Sequence, residues 1–321
     1  MFLILLRKAI GFSTVFMFGS TGETITERSG HLNLGIPGIM CLGALGGAVG
    51  ERLYVKSIGE NISQMNGFMA VFTPIVFALL FGALAGLLYC FLADTLHCNQ
   101  NVIGLTLTTF GAGLANFLGS KIPNVGFAEA SAYFSKGFVN GNEANSVVAL
   151  FLSYGPLVYI AIILSILVAI FIRRTRVGLS LRAVGENPAT ADAVGINVTG
   201  YKYAATTIGS AIAALGGLYY LMDYIGGKWQ YSIDAYGWMA VALVIFTVWQ
   251  TDLGVLGAVI FGMLYVLPNY IDVGTKSYIK ELIGMIPYVA TVIVLIALSI
   301  ANKRELQPPA ALGLPYFRED R

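Results

Sequence analysis

Nine stretches of this chain, 9–22, 35–50, 68–93, 102–120, 153–172, 203–222, 235–249, 253–271 and 282–301, contain no Asp, Glu, Lys, Arg or His. A helix without charge on any face is a poor match to water, and six of these runs are long enough to cross a bilayer, which takes about 17–25 residues. Backbone polar groups in hydrocarbon must be satisfied within the segment, so the runs read as helices. Only 11% of the residues are charged, against roughly 25% in soluble domains, and 57% are apolar with mean hydropathy +0.76. The 38 glycines suit close helix approach. The predicted fold is therefore all-α, a polytopic transmembrane helical bundle of eight or nine spans. One membrane domain covers 1–302, with a tail at 303–321, and a separate catalytic domain has no room.

Three runs, 9–22, 35–50 and 235–249, fall short of a full span. The first can extend in either direction; the second and seventh read as re-entrant or broken elements, tolerated where protein covers the backbone. The densest basic cluster is Arg173, Arg174, Arg176 and Arg182, and the tail carries Lys303, Arg304, Arg318 and Arg321. Four spans separate the two clusters, which puts both on one face, the cytoplasmic one by the positive-inside rule. Residues 23–34 and 94–101 then lie inside, and 51–67, 121–152 and Arg7-Lys8 outside. A net charge of +2 gives no reason to expect nucleic acid as a partner. MFLILL precedes Arg7-Lys8, the reverse of a secretory signal, and Cys41, Cys90 and Cys98 imply no disulfide framework.

Uncharged spans argue against a proton-coupled carrier, which needs intramembrane ionisable groups. They argue less against a sodium-coupled one, since unwound carbonyls bind sodium. The chain has no phosphate loop of the G-x-x-x-x-G-K-[ST] kind. Energy from ATP would have to come from another polypeptide.

The segment 178–198, GLSLRAVGENPATADAVGINV, has a design of its own. Asn187 suits an N-cap, Pro188 a first helical position, and Gly195 a helix end. That predicts a short helix of about two turns on the cytoplasmic face, preceded by a turn from Leu179 to Val184 with Gly185 as its corner. Its alanines offer a low surface for a docking protein; an ordinary capped connector is the alternative.

The run R-A-V-G-E-N-P-A-T-A-D-A-V-G-I-N-V resembles the coupling loop of ABC importer permeases of the branched-chain amino acid, ribose and nucleoside superfamily. The resemblance implies that Arg182, Gly185, Glu186, Asn187, Pro188, Ala191, Ala193, Gly195 and Ile196 sit against an ATP-binding subunit and transmit its closure. GETITERSGHLNLGIPGIMCLGALGG, residues 22–47, is similar to the E-R-x-G-x-L-N-L-G-x-E-G signature of nucleoside and simple-sugar permeases that work with a lipoprotein. Glu27, Arg28, Gly30, Leu32, Asn33, Leu34, Gly35 and Gly38 match it, while Pro37 replaces the usual glutamate. A third match, Asn99-Gln100-Asn101-Val102-Ile103-Gly104, resembles an N-Q-x-I-x-G stretch opening a later helix.

The residues of the signature also read from their own chemistry. Glu23 and Glu27 lie one helical turn apart, and Arg28 is placed to pair with either or to reach lipid phosphate. Asn33 is placed to cap a helix starting at Leu34. The whole reads as a helix-end charge cluster at the membrane interface. Leu34-Gly35, Gly38 and Gly43 recur in spacing as Leu253-Gly254, Gly257 and Gly262, the pattern of either an internal repeat or coincidence. Thr106, Thr108 and Thr109 are candidates for lining a polar path, or for helix packing. Trp229, Tyr231, Tyr236 and Trp238 suit an outer aromatic belt. His31, His97 and Cys98 are the only soft-ligand set, with spacing unlike a zinc site.

The expected function is that of a membrane permease subunit importing nucleosides or simple sugars without a cofactor. Its expected partners are ATP-binding subunits, a second permease subunit, an extracytoplasmic substrate-binding lipoprotein and membrane lipid. The alternatives are a branched-chain amino acid or ribose permease of the same superfamily, an ion-coupled secondary carrier, and a structural membrane protein.

Overall fold

The first apolar run stops at residue 22 because Glu23 is charged, yet the helix continues. The computed structural model describes residues 2–138, 147–231, 233–269, 282–301 and 307–317. In it α1 spans Phe2–Arg28 and takes in Glu23 and Glu27. Its 27 residues extend about 40 Å. Helix α2 (Ile36–Ser57) is continuous for 22 residues, about 33 Å, so it is an unbroken helix of spanning length and not a broken or re-entrant element. Then come α3 (Gly67–Cys90), ending in a wide π turn at Phe91–Thr95, and α4 (Gln100–Gly119). Two short helices, α5 (Phe127–Phe134) and α6 (Val147–Leu152), precede α7 (Pro156–Arg174). A pair outside the bundle follows, α8 (Arg176–Glu186) and α9 (Pro188–Ala193). The chain returns through α10 (Val198–Tyr219, with a π turn at Tyr220–Tyr224), α11 (Ile233–Phe246), α12 (Thr251–Val266) and α13 (Ile286–Ala301). No strand occurs among the described residues.

Among the described residues five helices are long and apolar enough to cross a membrane, and α11, α12 and α13 are shorter apolar ones. With α2, these nine helices alternate between two ends of the bundle. One end gathers residues 28–35, 94–101, 173–198, 249–252 and 307–317; the other gathers Arg7 and Lys8 with 153–155 and 223–224. The two-sided placement of the charged loops thus follows the alternation expected from sequence. Lys303, Arg304, Arg318 and Arg321 lie outside the described residues.

Helices α1 and α10 form the centre. They cross at Gly22 and Gly209, where a Cβ on either residue would overlap the carbonyl of the other. This is the small-residue contact by which membrane helices approach without a hydrophobic driving force. One glycine pair of the recurring pattern packs in a corresponding way. Gly43 of α2 lies against Ala214 of α10, and Gly262 of α12 lies against Ala9 and Ser13 of α1. Each central helix therefore receives a flanking helix through a glycine at the same place in the pattern.

Uncharged spans do not survive as an expectation. Glu23, Glu27, Glu51 and Lys202 all sit within bundle helices and are 0–2% exposed. Glu23, Glu51 and Lys202 each adjoin an apolar run that their own charge bounded, and Glu27 lies one helical turn beyond Glu23.

Candidate functional site

The turn joining α1 to α2 is where the sequence motifs meet. Gly30 adopts φ +93°, a left-handed conformation that L side chains resist, and this breaks the helix after Arg28. His31 therefore does not continue the face of Glu27. The unwound backbone that follows is held from neighbouring helices. Leu32 N–H donates to Gln100 Oε1 at 2.9 Å, and Tyr89 O–H donates to the Leu32 carbonyl at 2.7 Å. Thr108 Oγ1 donates to the Leu34 carbonyl at 2.7 Å. Asn33 Oδ1 accepts Gly35 N–H at 2.9 Å, so it serves a helix that opens at Ile36 rather than at Leu34. Gly35, Gly38 and Gly104 leave no room for a Cβ where α2 and its leading turn meet α4. The 27–38 and 99–104 motifs are one structure.

The α8–α9 pair meets the same turn from below. Its caps are those expected from sequence: Asn187 Oδ1 accepts Thr190 N–H at 3.0 Å, Pro188 opens α9, and Gly195 at φ +88° ends it. Thr175 caps α8 in the same way. The corner, however, is the extended Asn187, and Gly185 lies within α8. Gly185 abuts Arg28 and Gly30; an added Cβ would overlap the Arg28 carbonyl and stand 3.2 Å from Gly30 N. The tail closes the junction, with Ala311 N–H donating to the Gly185 carbonyl and Gly313 N–H to the Gly30 carbonyl, both at 3.0 Å.

Ala191 requires a correction. It is 2% exposed, packed with Val184, Val198 and Tyr316, because α9 folds back on α8 and on the start of α10. It therefore belongs to the internal seam of the pair and not to a docking face. Pro188 and Ile196 are half-buried; Glu186, Asn187, Ala193 and Gly195 are exposed, and Val194 is 71% exposed.

Charges around the turn are satisfied in a way the sequence did not suggest. Arg28 pairs with neither glutamate. Its Nη2 and Nε donate to the Trp249 carbonyl at 3.0 and 3.3 Å, while the Trp249 indole N–H donates to Glu27. Burial excludes Glu23 and Glu27 from an interfacial anchor. Arg173 forks onto Asp252, with both contacts at 2.7 Å, and Arg28, Arg173 and Arg182 line one cavity. Arg182 Nε has no hydrogen-bond partner among the described residues.

His31 also lies in this layer and is fully buried. Its Nε2 is 2.9 Å from Asp94 Oδ1 and its Nδ1 2.7 Å from Thr206 Oγ1. Burial pushes its pKa below the ordinary histidine value although Asp94 opposes that. The neutral ring, with Nε2–H donating to Asp94 and Nδ1 accepting from Thr206, satisfies both contacts. The soft-ligand grouping is also corrected: His31, Cys90 and Asp94 place their ligand atoms within 4.8 Å of one another, while Cys98 is exposed and the His97 ring lies tilted against Phe317. Lys202 Nζ stands 3.8 Å from Asp94 Oδ1, so a lysine already supplies positive charge there.

Three threonines proposed for one path diverge. Thr108 turns inward to Leu34, whereas Thr106 and Thr109 lie on the exposed side of α4, with Thr109 bonded to the Leu105 carbonyl of its own helix. At the opposite end Tyr236 is buried against Phe12, Tyr220 and Tyr265, and Trp229 covers Gly119 and donates to Asn116. Neither forms a belt. Trp249 is a site residue with no signal in the sequence beyond ending an apolar run. Gln100, inside the third motif, is the residue through which that motif holds the turn.

Comparison with known proteins places the chain in a family. The family model described as branched-chain amino acid transport system / permease component matches residues 5–300. A putative glucose ABC transporter permease protein of Haloferax volcanii is 30% identical, over 98% of both chains. A nucleoside ABC transporter permease protein of Lactococcus lactis is 29% identical over 91% of each. A guanosine ABC transporter permease protein of Bacillus subtilis is 25% identical over 99% of this chain and 98% of its own. The chain is thus a multi-pass membrane protein that belongs to the permease-component family of the branched-chain amino acid transport systems.

Proposed function

We propose that this chain is the permease subunit of an ATP-binding cassette importer for nucleosides or simple sugars, with no catalytic activity of its own. Residues 1–302 are its membrane domain and 303–321 a cytoplasmic tail, of which Ala311 and Gly313 tie the α8–α9 pair and the α1–α2 turn together. The carrying observation is the seating of Gly185 on Arg28 and Gly30. Closure of ATP-binding subunits beneath would push α8–α9, and a contact with no slack passes that push to the end of α1. Because α1 crosses α10 at Gly22, the central pair moves with it. A second permease subunit would complete the pathway, and an extracytoplasmic lipoprotein would deliver the solute. The substrate class is carried over from the nucleoside and sugar relatives and from the match at residues 27–38.

Orientation has a direct test. Thr190 is exposed on α9. A cysteine there, with Cys41, Cys90 and Cys98 removed, is expected to resist impermeant thiol reagents in intact cells and to react after permeabilisation. Labelling from outside would invert the topology.

Energy coupling needs its own test, because the buried Glu23–Glu27 pair gives an ion-coupled carrier an observation in its favour. In cells with ATP maintained, uptake of labelled guanosine or glucose is expected to survive collapse of the proton and sodium gradients. It is expected to stop when ATP is depleted with the gradients intact. Gradient-driven uptake by this chain alone in ATP-free vesicles would replace the importer reading with the carrier.

A further inference from the structure

At the end of the bundle opposite α8–α9, a cavity of about 560 Å³ opens between the start of α1, the turn before α7 and the end of α10. Its volume lies within the roughly 300–1,000 Å³ usual for small-molecule sites. Three of its lining residues carry polar atoms that are shielded from solvent and have no hydrogen-bond partner among the described residues: Asp223 Oδ2, Tyr154 Oη and Ser153 Oγ. They come from segments about 70 residues apart in sequence, Ser153 and Tyr154 before α7 and Asp223 in the π turn ending α10. The wide turn is what brings Asp223 close to Gly155, where a Cβ would stand 2.5 Å from the carboxylate. Tyr224, which is 40% exposed, adds an aromatic face.

A buried polar group without a partner is destabilising, and native proteins keep few of them. Three such groups around one cavity make a set of partners for something that enters it. A carboxylate accepts two hydroxyl protons at once, and the two hydroxyls of Tyr154 and Ser153 each donate or accept. The carboxylate disfavours an anionic headgroup, even with Arg7 and Lys8 at the rim. We infer that this cavity is a receiving site for a neutral ring solute bearing vicinal hydroxyls, held by Asp223, Tyr154 and Ser153 on the face away from the coupling pair. The inference rests on the importer reading for its solute class and for the orientation of that face.

The test is equilibrium binding of tritiated guanosine and of labelled glucose to the assembled transporter in nanodiscs, without nucleotide and without the lipoprotein. Saturable binding of one of the two is expected, and which one binds separates a ribose diol from a hexose diol. Asp223→Ala should weaken it about tenfold or more, as loss of a hydrogen bond to a charged group does, and Tyr154→Phe by less. If guanosine is the ligand, 2′-deoxyguanosine should bind about tenfold more weakly to the unaltered protein, a comparison that needs no variant to fold. Absence of binding by both solutes overturns the site, as does binding that Asp223→Ala and the missing hydroxyl leave unchanged. If ATP-driven uptake of the same solute persists in that case, the site fails and the importer reading stands. If uptake of both solutes is absent as well, both fail.

Discussion

Gly185→Ala is expected to leave the permease in the membrane at normal levels and to cut ATP-driven uptake about tenfold or more. The added methyl would overlap the Arg28 carbonyl. Neither side yields easily, since Gly185 is inside α8 and the Arg28 carbonyl is the backbone of the helix end on which the turn is built. Overpacking of this kind costs about 1–3 kcal/mol. The α8–α9 pair lies outside the bundle, so the strain is relieved by the pair tilting away and not by the core repacking. That tilt also stretches the bonds from Ala311 to Gly185 and from Gly313 to Gly30. The expected signature is uncoupling: the ATP-binding subunits still associate and hydrolyse ATP, but transport per ATP falls. Gly113→Ala is the matched control, a helical glycine whose added Cβ meets nothing within 4 Å, and it should transport normally. Equal uptake by the Gly185→Ala and unaltered proteins would show that the contact does not transmit force.

Much of this arrangement was legible in the chain, and what was not has physical causes. The caps at Asn187 and Gly195 were readable because a cap is a local contract between a side chain and the next few N–H groups. The sidedness of the loops was readable because spans alternate. The burial of Glu23, Glu27 and Lys202 was not, since hydropathy bounds a span at its first charge and cannot register a partner such as Trp249 that is 222 residues away. Ala191 misled for a related reason. A run of small residues is equally suited to receiving a partner protein and to closing an internal seam, and only the path of the chain decides between them. Here Val198 and Tyr316 already occupy the place a partner would take. The convergence of 27–38, 99–104 and 178–198 is also long-range, made by Gln100 and by Gly185.

Val194→Asp is expected to abolish retention of the ATP-binding subunits while leaving the permease folded. With Ala191 inside, the outward surface of the pair is its exposed end, where Ala193, Val194 and Gly195 lie together and Val194 is 71% exposed. A valine exposed at this end gains nothing from water, and burying it against a partner contributes about 1.5 kcal/mol or more. Aspartate loses that contribution and places a charge in the contact, where desolvation without a pairing group adds a further cost of at least a similar size. Together these come to roughly 3 kcal/mol, about a hundredfold in affinity. Nothing within the permease depends on the Val194 side chain to that extent, so membrane levels and thermal stability should match the unaltered protein. Ala191→Trp behaves differently. It forces a ring between Val184, Val198 and Tyr316, so the pair itself should come apart, visible as new protease sensitivity between 176 and 198. If Val194→Asp retains its ATP-binding subunits and imports normally, the docking face lies elsewhere on the α8–α9 pair. Loss of the ATP-binding subunits with a protease-resistant pair would assign the exposed end of α9 as the surface they grip.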